Sequence, residues 1–331
     1  MKNTIPKVSI IVPIHNAGSR LTDCLDTLIN QTLRSIEIIL VLDCPTDGSD
    51  HVARQYAQND DRIIILENSK NLHIGNSRNR GLEIARGEYI GFSDHDDSRE
   101  LNMYEELYNL AQSTNSDLVL GVSVSVGEQN EIVHFPSGLG NSYIREYALV
   151  DLIRGGDDVT LTPIATNIHS NIYKAELLQT NNITFVDTFS YSPEDRIFQI
   201  MCIFYAKNIR ICNSHLYYHF IHNRSAGHSL HYVSCYSRAN GKMKVYDFLK
   251  LVNCYEKYKP YFLISTKKEF TNCVIGDLYS TKNIFQLFKT LKHLKSFPFC
   301  KTAFQTADYS LAKYSFGGKI FRKVISLLIR L

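Results

Sequence analysis

Apolar residues along the first 125 positions follow two alternating rhythms. Val8–Ile14 is a β-branched run with no polar face, as a strand covered on both sides requires. Leu21, Cys24, Leu25, Leu28 and Ile29 then recur at helical spacing, and Ile36–Leu42 is a second buried strand. The pattern goes on to predict a helix over Ser49–Asn59, a strand over 62–66, a helix over 76–86, a strand over 89–93, a helix over 100–113 and a strand over 118–124. Beyond this the alternation weakens. A strand is expected at 132–135, helices at 143–153, 170–180 and Glu194–Tyr205, and an extended stretch at 209–221. From about Tyr232 onward the pattern is helical and rich in Tyr, Phe and Lys. The fold class that follows is α/β: a mostly parallel central sheet flanked by helices, with a helical C-terminal extension. The expected division is a catalytic domain over residues 1–225 and a helical, basic region over 226–331.

Ligands of such sheets bind beyond the C-terminal ends of the strands, so the polar residues found there matter most. The first strand ends in Pro13-Ile14-His15-Asn16 and the second in Asp43, with Thr46-Asp47-Gly48-Ser49 as turn and helix cap. The third leads into the stretch from Asn71 to Gly81, which holds Arg78, and the fourth ends in Asp94-His95-Asp96-Asp97. Acidic and amide groups therefore converge on one crevice. Carboxylates of this kind suit Mg²⁺ or Mn²⁺ held together with the phosphates of a substrate.

Composition narrows the choices. The formal charge of +3 decides little, but residues 282–331 carry ten Lys or Arg against the single acid Asp308. Eight cysteines lie no closer than ten residues apart, which excludes a zinc knuckle or a Cys-x-x-Cys pair and fits reduced thiols in the cytoplasm. Pro13, His15 and Asn16 interrupt the N-terminal apolar run, so no signal peptide is expected, and no run of eighteen apolar residues would span a membrane. The basic residues lack the aromatic interleaving of a nucleic-acid surface.

Val8-Ser9-Ile10-Ile11-Val12-Pro13-Ile14-His15-Asn16 resembles the opening strand of the family 2 inverting glycosyltransferases with the GT-A fold. The likeness continues through Gln31-Thr32, Glu37-Ile38-Ile39, Thr46-Asp47-Gly48-Ser49, Arg78-Asn79-x-Gly81, Gly87-Glu88-Tyr89-Ile90, Asp94-x-Asp96-Asp97 and the pair Glu194-Asp195. It covers roughly residues 6–225. Leu42 stands where one of two acids is common, and Cys44-Pro45 where a small glycine-type turn is usual.

The resemblance implies a nucleoside diphosphate sugar donor, a UDP-sugar foremost, a Mn²⁺ or Mg²⁺ cofactor, and a glycan or lipid-linked acceptor in surface polysaccharide synthesis. It makes Asp96 a metal ligand and Asp94 a contact to metal or donor ribose, with Asp97 behind them or on the acceptor side. Asp43 would meet the base or ribose, Pro13 and His15 would line that pocket, and Arg78 would contact the nucleotide. Asp195 would be the general base and Glu194 its structural or acceptor-binding partner. His219 is the favoured histidine ligand, ahead of His222. Asp157-Asp158, with no apolar helix face behind it, is set aside as the base. The alternatives are a catalytically inactive carbohydrate-binding relative and a sugar nucleotidyltransferase, though the latter wants a glycine-rich phosphate loop that Pro13-Ile14-His15-Asn16-Ala17-Gly18 does not supply. Residues 320–331, short, apolar and basic, would suit an anionic membrane surface at the inner face of the membrane.

Overall fold

A computed structural model describes residues 5–127, 132–133, 144–155, 167–220, 235–280 and 284–306. Nine strands are seen among them: β1 Val8–Ile14, β2 Ile36–Leu42, β3 Ile63–Glu67, β4 Tyr89–Phe92, β5 Ser98–Arg99, β6 Leu118–Val126, β7 Ile132–Val133, β8 Ile172–Lys174 and β9 Ile209–Phe220. The helices that position the site are α1 Arg20–Ile29, α2 Ser49–Asn59, α3 His73–Ile84, α4 Met103–Thr114, α5 Ile144–Arg154, α6 Ala175–Thr180 and α7 Glu194–Tyr205. α8 Cys235–Leu251, α9 Tyr255–Ser280, α10 Ile284–Lys295 and α11 Cys300–Thr306 form a helical layer behind them.

One sheet runs in the order β3-β2-β1-β4-β8-β6-β9-β5, with β7 on β6. β3, β2, β1 and β4 are mutually parallel, as the alternating rhythm requires. β8 then enters antiparallel to both β4 and β6, and β9 lies parallel to β6, so the whole sheet is mixed. Both faces are covered. Ile11, Ile39, Val41 and Phe92 join the core shared with α5, α7, α8 and α9, while Ile10, Val12, Ile38 and Leu40 pack with residues of α1 and α4. Successive side chains thus enter opposite cores, which is why these strands lack a polar face. Each fully buried side chain of this size contributes about 1.5–3 kcal/mol.

Two local outcomes differ from the periodicity. The helix expected over 170–180 is instead β8 followed by the short α6. Ile172 and Tyr173 are wholly buried between β4 and β6, and neighbouring strands offer a β-branched and an aromatic residue more contact than a helix turn would. The two-residue β5 was not expected. It pairs Ser98 and Arg99 with Tyr218 and Tyr217 of β9, and so ties the loop after β4 to the last strand.

α3 lies against the sheet because Gly81 lets it approach: a Cβ there would stand 2.4 Å from the Ile11 side chain. α7 is anchored by Phe198, stacked on Phe185 at 4.0 Å and edge-on to Phe92 at 5.5 Å, and by Gln199, whose Oε1 accepts from the Tyr173 hydroxyl at 2.7 Å. The first turn of α7 is therefore held rigidly over the sheet edge.

Candidate active site

The crevice has two sides. On the first, Asp43 follows β2 and its Oδ1 accepts from the Leu72 N–H at 2.7 Å and from Asn68 Nδ2 at 2.8 Å. Asn68 also donates to Ser77 Oγ at 3.0 Å, while its own Oδ1 is buried without a hydrogen-bond partner. His15 Nδ1 donates to the Asp43 carbonyl at 2.6 Å, which leaves Nε2 to accept from the Asn71 amide at 3.3 Å. Pro13 contributes its carbonyl, which accepts from His95 Nδ1 at 3.0 Å. Asp47 Oδ1 accepts from the backbone N–H and hydroxyl of Ser49 at the start of α2. Asp43, His15 and Pro13 thus lie together at the strand ends, with Asn68 and Asn71 beside them.

The second side carries most of the charge. Arg78 of α3 is buried, and its guanidinium reaches Asp94 Oδ1 at 3.0 Å and Glu194 Oε1 at 3.4 Å. One cation thereby joins the loop after β4 to the head of α7, with Glu194 lying 116 positions from Arg78. Its Nε has no hydrogen-bond partner. The other oxygen of Asp94, Oδ2, lies 3.5 Å from His169 Nδ1. Burial alone would raise the Asp94 carboxyl, but Arg78 and His169 outweigh it and hold the group down at about 2. Glu194 moves the other way, to about 7, because burial and the neighbouring Asp195 overcome the Arg78 charge. Asp195 takes the Arg196 N–H on its Oδ1 at 2.6 Å in the first turn of α7, where the helix dipole favours anions. Arg78, for which the resemblance implies a nucleotide contact, bridges these two acids.

Asp97 is buried beneath this group. Its Oδ1 accepts from the Phe220 N–H at 2.9 Å, and its Oδ2 from the Tyr217 hydroxyl at 2.8 Å and His219 Nδ1 at 3.1 Å. The hydrogen bond to Asp97 outweighs burial and raises His219 to about 9. Burial lowers His169 from its ordinary value despite the nearby Asp94 and Asp97. The His169 ring stacks on Tyr217 at 4.4 Å and lies parallel to His219 at 5.6 Å. One ligand-capable atom from each of Asp97, His169 and His219 falls within 4.8 Å of the others. Asp96 is half-buried in the same loop.

His169 escaped the sequence reading. It precedes β8, and because β8 runs antiparallel, its start meets the same sheet edge as the ends of β1, β2 and β4. His222, Asp157, Asp158, the division near residue 225 and the segment 320–331 lie outside the described residues. Among the described residues no helix is long and apolar enough to cross a membrane.

Residues 9–170 match the sequence family described as Glycosyl transferase family 2. A poly(ribitol-phosphate) beta-glucosyltransferase of Bacillus spizizenii is 31% identical over 69% of this chain, which spans 34% of that protein's length. Among solved structures, residues 1–349 of S. aureus TarS in complex with UDP-GlcNAc align with a TM-score of 0.69 at 20% identity, covering 91% of this chain and 84% of that one. A mannosyltransferase of Pyrobaculum calidifontis in complex with GDP-Man and Mn²⁺ aligns with a TM-score of 0.50 at 14% identity, over 99% of this chain and 88% of that one. These two likenesses bear on the fold. With the order of its motifs and the sheet edge on which they meet, the chain belongs to the family 2 glycosyltransferases of GT-A fold.

Proposed function

We propose that the chain is an inverting, cation-dependent glycosyltransferase that moves a sugar from a nucleoside diphosphate donor, a UDP-sugar foremost, to a hydroxyl of a glycan or lipid-linked acceptor. The observation that carries this reading is the Arg78 clamp. It puts the strand-end aspartates and the Glu194-Asp195 pair on one crevice, as a single displacement between donor and acceptor needs. Asp43 and the unpartnered Asn68 Oδ1 offer acceptor atoms to the N–H and hydroxyl groups of a nucleoside, with His15 and Pro13 as the wall beside them. Asp96, Asp94 and His219 are the groups for a divalent cation, and a set of oxygens plus imidazole suits Mn²⁺ at least as well as Mg²⁺. When bound, such an ion supplies charge stabilisation to the departing diphosphate.

Asp195 is the general base: one carboxylate oxygen is held by the Arg196 N–H, and the other is the destination of the acceptor proton. Glu194 lies beside it as the acceptor-side partner. The catalytic region takes in residues 1–225, and residues 226–331 form a helical region whose basic apolar segment 320–331 contacts an anionic membrane surface. The chain's relation to poly(ribitol-phosphate) glycosyltransferases supports an acceptor of the cell-wall polysaccharide class.

The direct test is a transfer and donor-hydrolysis screen over UDP- and GDP-sugars, with Mn²⁺, Mg²⁺ or EDTA. Asp96→Ala should abolish turnover and leave the thermal melt unchanged. Full activity in EDTA, or a wild-type rate in that variant, removes the cation from the mechanism. Co-sedimentation with anionic liposomes should fall when residues 320–331 are deleted, and equal binding would remove the membrane contact from this reading.

A further inference from the structure

We propose that His169 and His219, with Asp97, form a nitrogen-rich site for a first-row transition-metal dication, so that this pocket prefers cobalt- or zinc-type ions to Mg²⁺. The inference deepens the cation part of the proposed function and rests on that reading of the pocket.

Three observations converge on it. The ligand-capable atoms of Asp97, His169 and His219 lie within 4.8 Å of one another, and the 3.1 Å between Asp97 Oδ2 and His219 Nδ1 already matches the roughly 3 Å that separates two ligands on one ion with bonds of about 2.0–2.2 Å. His169 Nε2 is enclosed and has no hydrogen-bond partner. Leaving such a nitrogen unpaired costs about 1–3 kcal/mol, which a ligand on that atom would offset. His169 also has a carboxylate at its Nδ1, that of Asp94, as metal-binding histidines commonly do.

Ligand chemistry then sets the preference. Mg²⁺ takes oxygens and keeps much of its water, whereas imidazole nitrogens suit Zn²⁺, Co²⁺ and their neighbours. Arg78 occupies one oxygen of Asp94, and His169 Nδ1 lies 3.5 Å from the other. The bland account of His169 is an aromatic ring stacked on Tyr217. His169→Phe separates the two, since it keeps the stack and removes both nitrogens.

The experiment is a Co²⁺ titration of the full chain without nucleotide, read by visible absorption at about pH 8, where ligand imidazoles more readily lose their protons. One Co²⁺ per chain should bind, be displaced by Zn²⁺, and resist an excess of Mg²⁺ of about 100-fold. His169→Phe and His219→Gln should each weaken binding by at least about 10–100-fold. Far-UV circular dichroism establishes which variants are folded; should His169→Phe not fold, His219→Gln on its half-exposed ring decides. Absence of Co²⁺ binding, displacement by Mg²⁺, or a folded histidine variant that titrates like wild type overturns the site. Failure of the parent reading looks different: a chain that binds Co²⁺ through these histidines yet transfers no sugar keeps the site and loses the function. A chain that transfers sugar but titrates no Co²⁺ does the reverse.

Discussion

The two sides of the crevice are built on opposite principles. Around Asp43, hydrogen bonds join residues 25–29 positions apart, come largely from main-chain groups and amides, and leave little charge to neutralise. Around Asp94, the partners are 16, 116 and 123 positions apart, and a single buried guanidinium balances two carboxylates. The first arrangement is set by βα turns as they form. The second exists only after the whole sheet has closed, and several of its polar atoms, Arg78 Nε and His169 Nε2 among them, are left without partners.

The largest expected effect lies on the charged side. Asp195→Asn is close to isosteric, so donor affinity should stay near wild type while the acceptor proton loses its destination. Turnover should fall about 10²–10⁴-fold, the usual consequence of removing a general base. Steady-state kinetics with UDP titration measures both quantities, and normal turnover in this variant would move the base elsewhere, Asp158 being the next residue to test.

Arg78→Met asks whether the clamp is structural. Removing one member of a buried ion pair leaves uncompensated charge and costs about 3–5 kcal/mol. Urea unfolding should show a loss in that range, together with weaker coupling of α7 to the sheet. A loss below about 1 kcal/mol, the value of an exposed pair, would mean that Asp94 and Glu194 do not need Arg78 to coexist.

The same division explains what could be read from the chain. The parallel half of the fold was legible because Val8–Ile14, Ile36–Leu42 and the helices between them announce their period, and a parallel sheet displays its site at strand ends. That rule points to Asp43, Asp94 and Asp96, whereas Glu194-Asp195 at the head of α7 entered through the family resemblance. His169 was not, because the rule looks after strands, whereas an antiparallel strand such as β8 brings its beginning to the same edge. The rhythm over 170–180 pointed to a helix for a related reason: Ile172 and Tyr173 serve as strand residues only because β4 and β6 wait on either side. Nor does spacing reveal that Arg78 faces Glu194; that contact depends on the close packing of α3 that Gly81 permits.

Glu194 gives the charged side a pH signature. Its carboxyl is raised to about 7 from an ordinary 4.5, so between those values the folded chain holds a proton that the unfolded chain releases. Stability from this group is full below about 4.5 and is lost as pH rises through about 7. Glu194→Gln should remove that slope, worth about 1–3 kcal/mol across the window. Denaturation midpoints measured at several pH values for both chains check this, and parallel profiles would show that Glu194 is ionised throughout.

The smallest effect is expected on the Asp43 side, and it sets the limit of the comparison. His15 makes two hydrogen bonds, Nδ1 to the Asp43 carbonyl and Nε2 from Asn71, and neither partner is charged at the atom concerned. Each such bond contributes about 0.5–1.5 kcal/mol net, and the half-exposed ring lets water replace part of what is lost. His15→Ala should therefore raise the KM for the donor about three- to tenfold, as loss of about 1 kcal/mol of ground-state binding does, and leave kcat nearly unchanged. That split between KM and kcat is the opposite of the one expected for Asp195→Asn. Were kcat to fall in His15→Ala as steeply as it does there, His15 would be acting on the reacting groups, and the two sides of the crevice would have to be treated as one electrostatic unit.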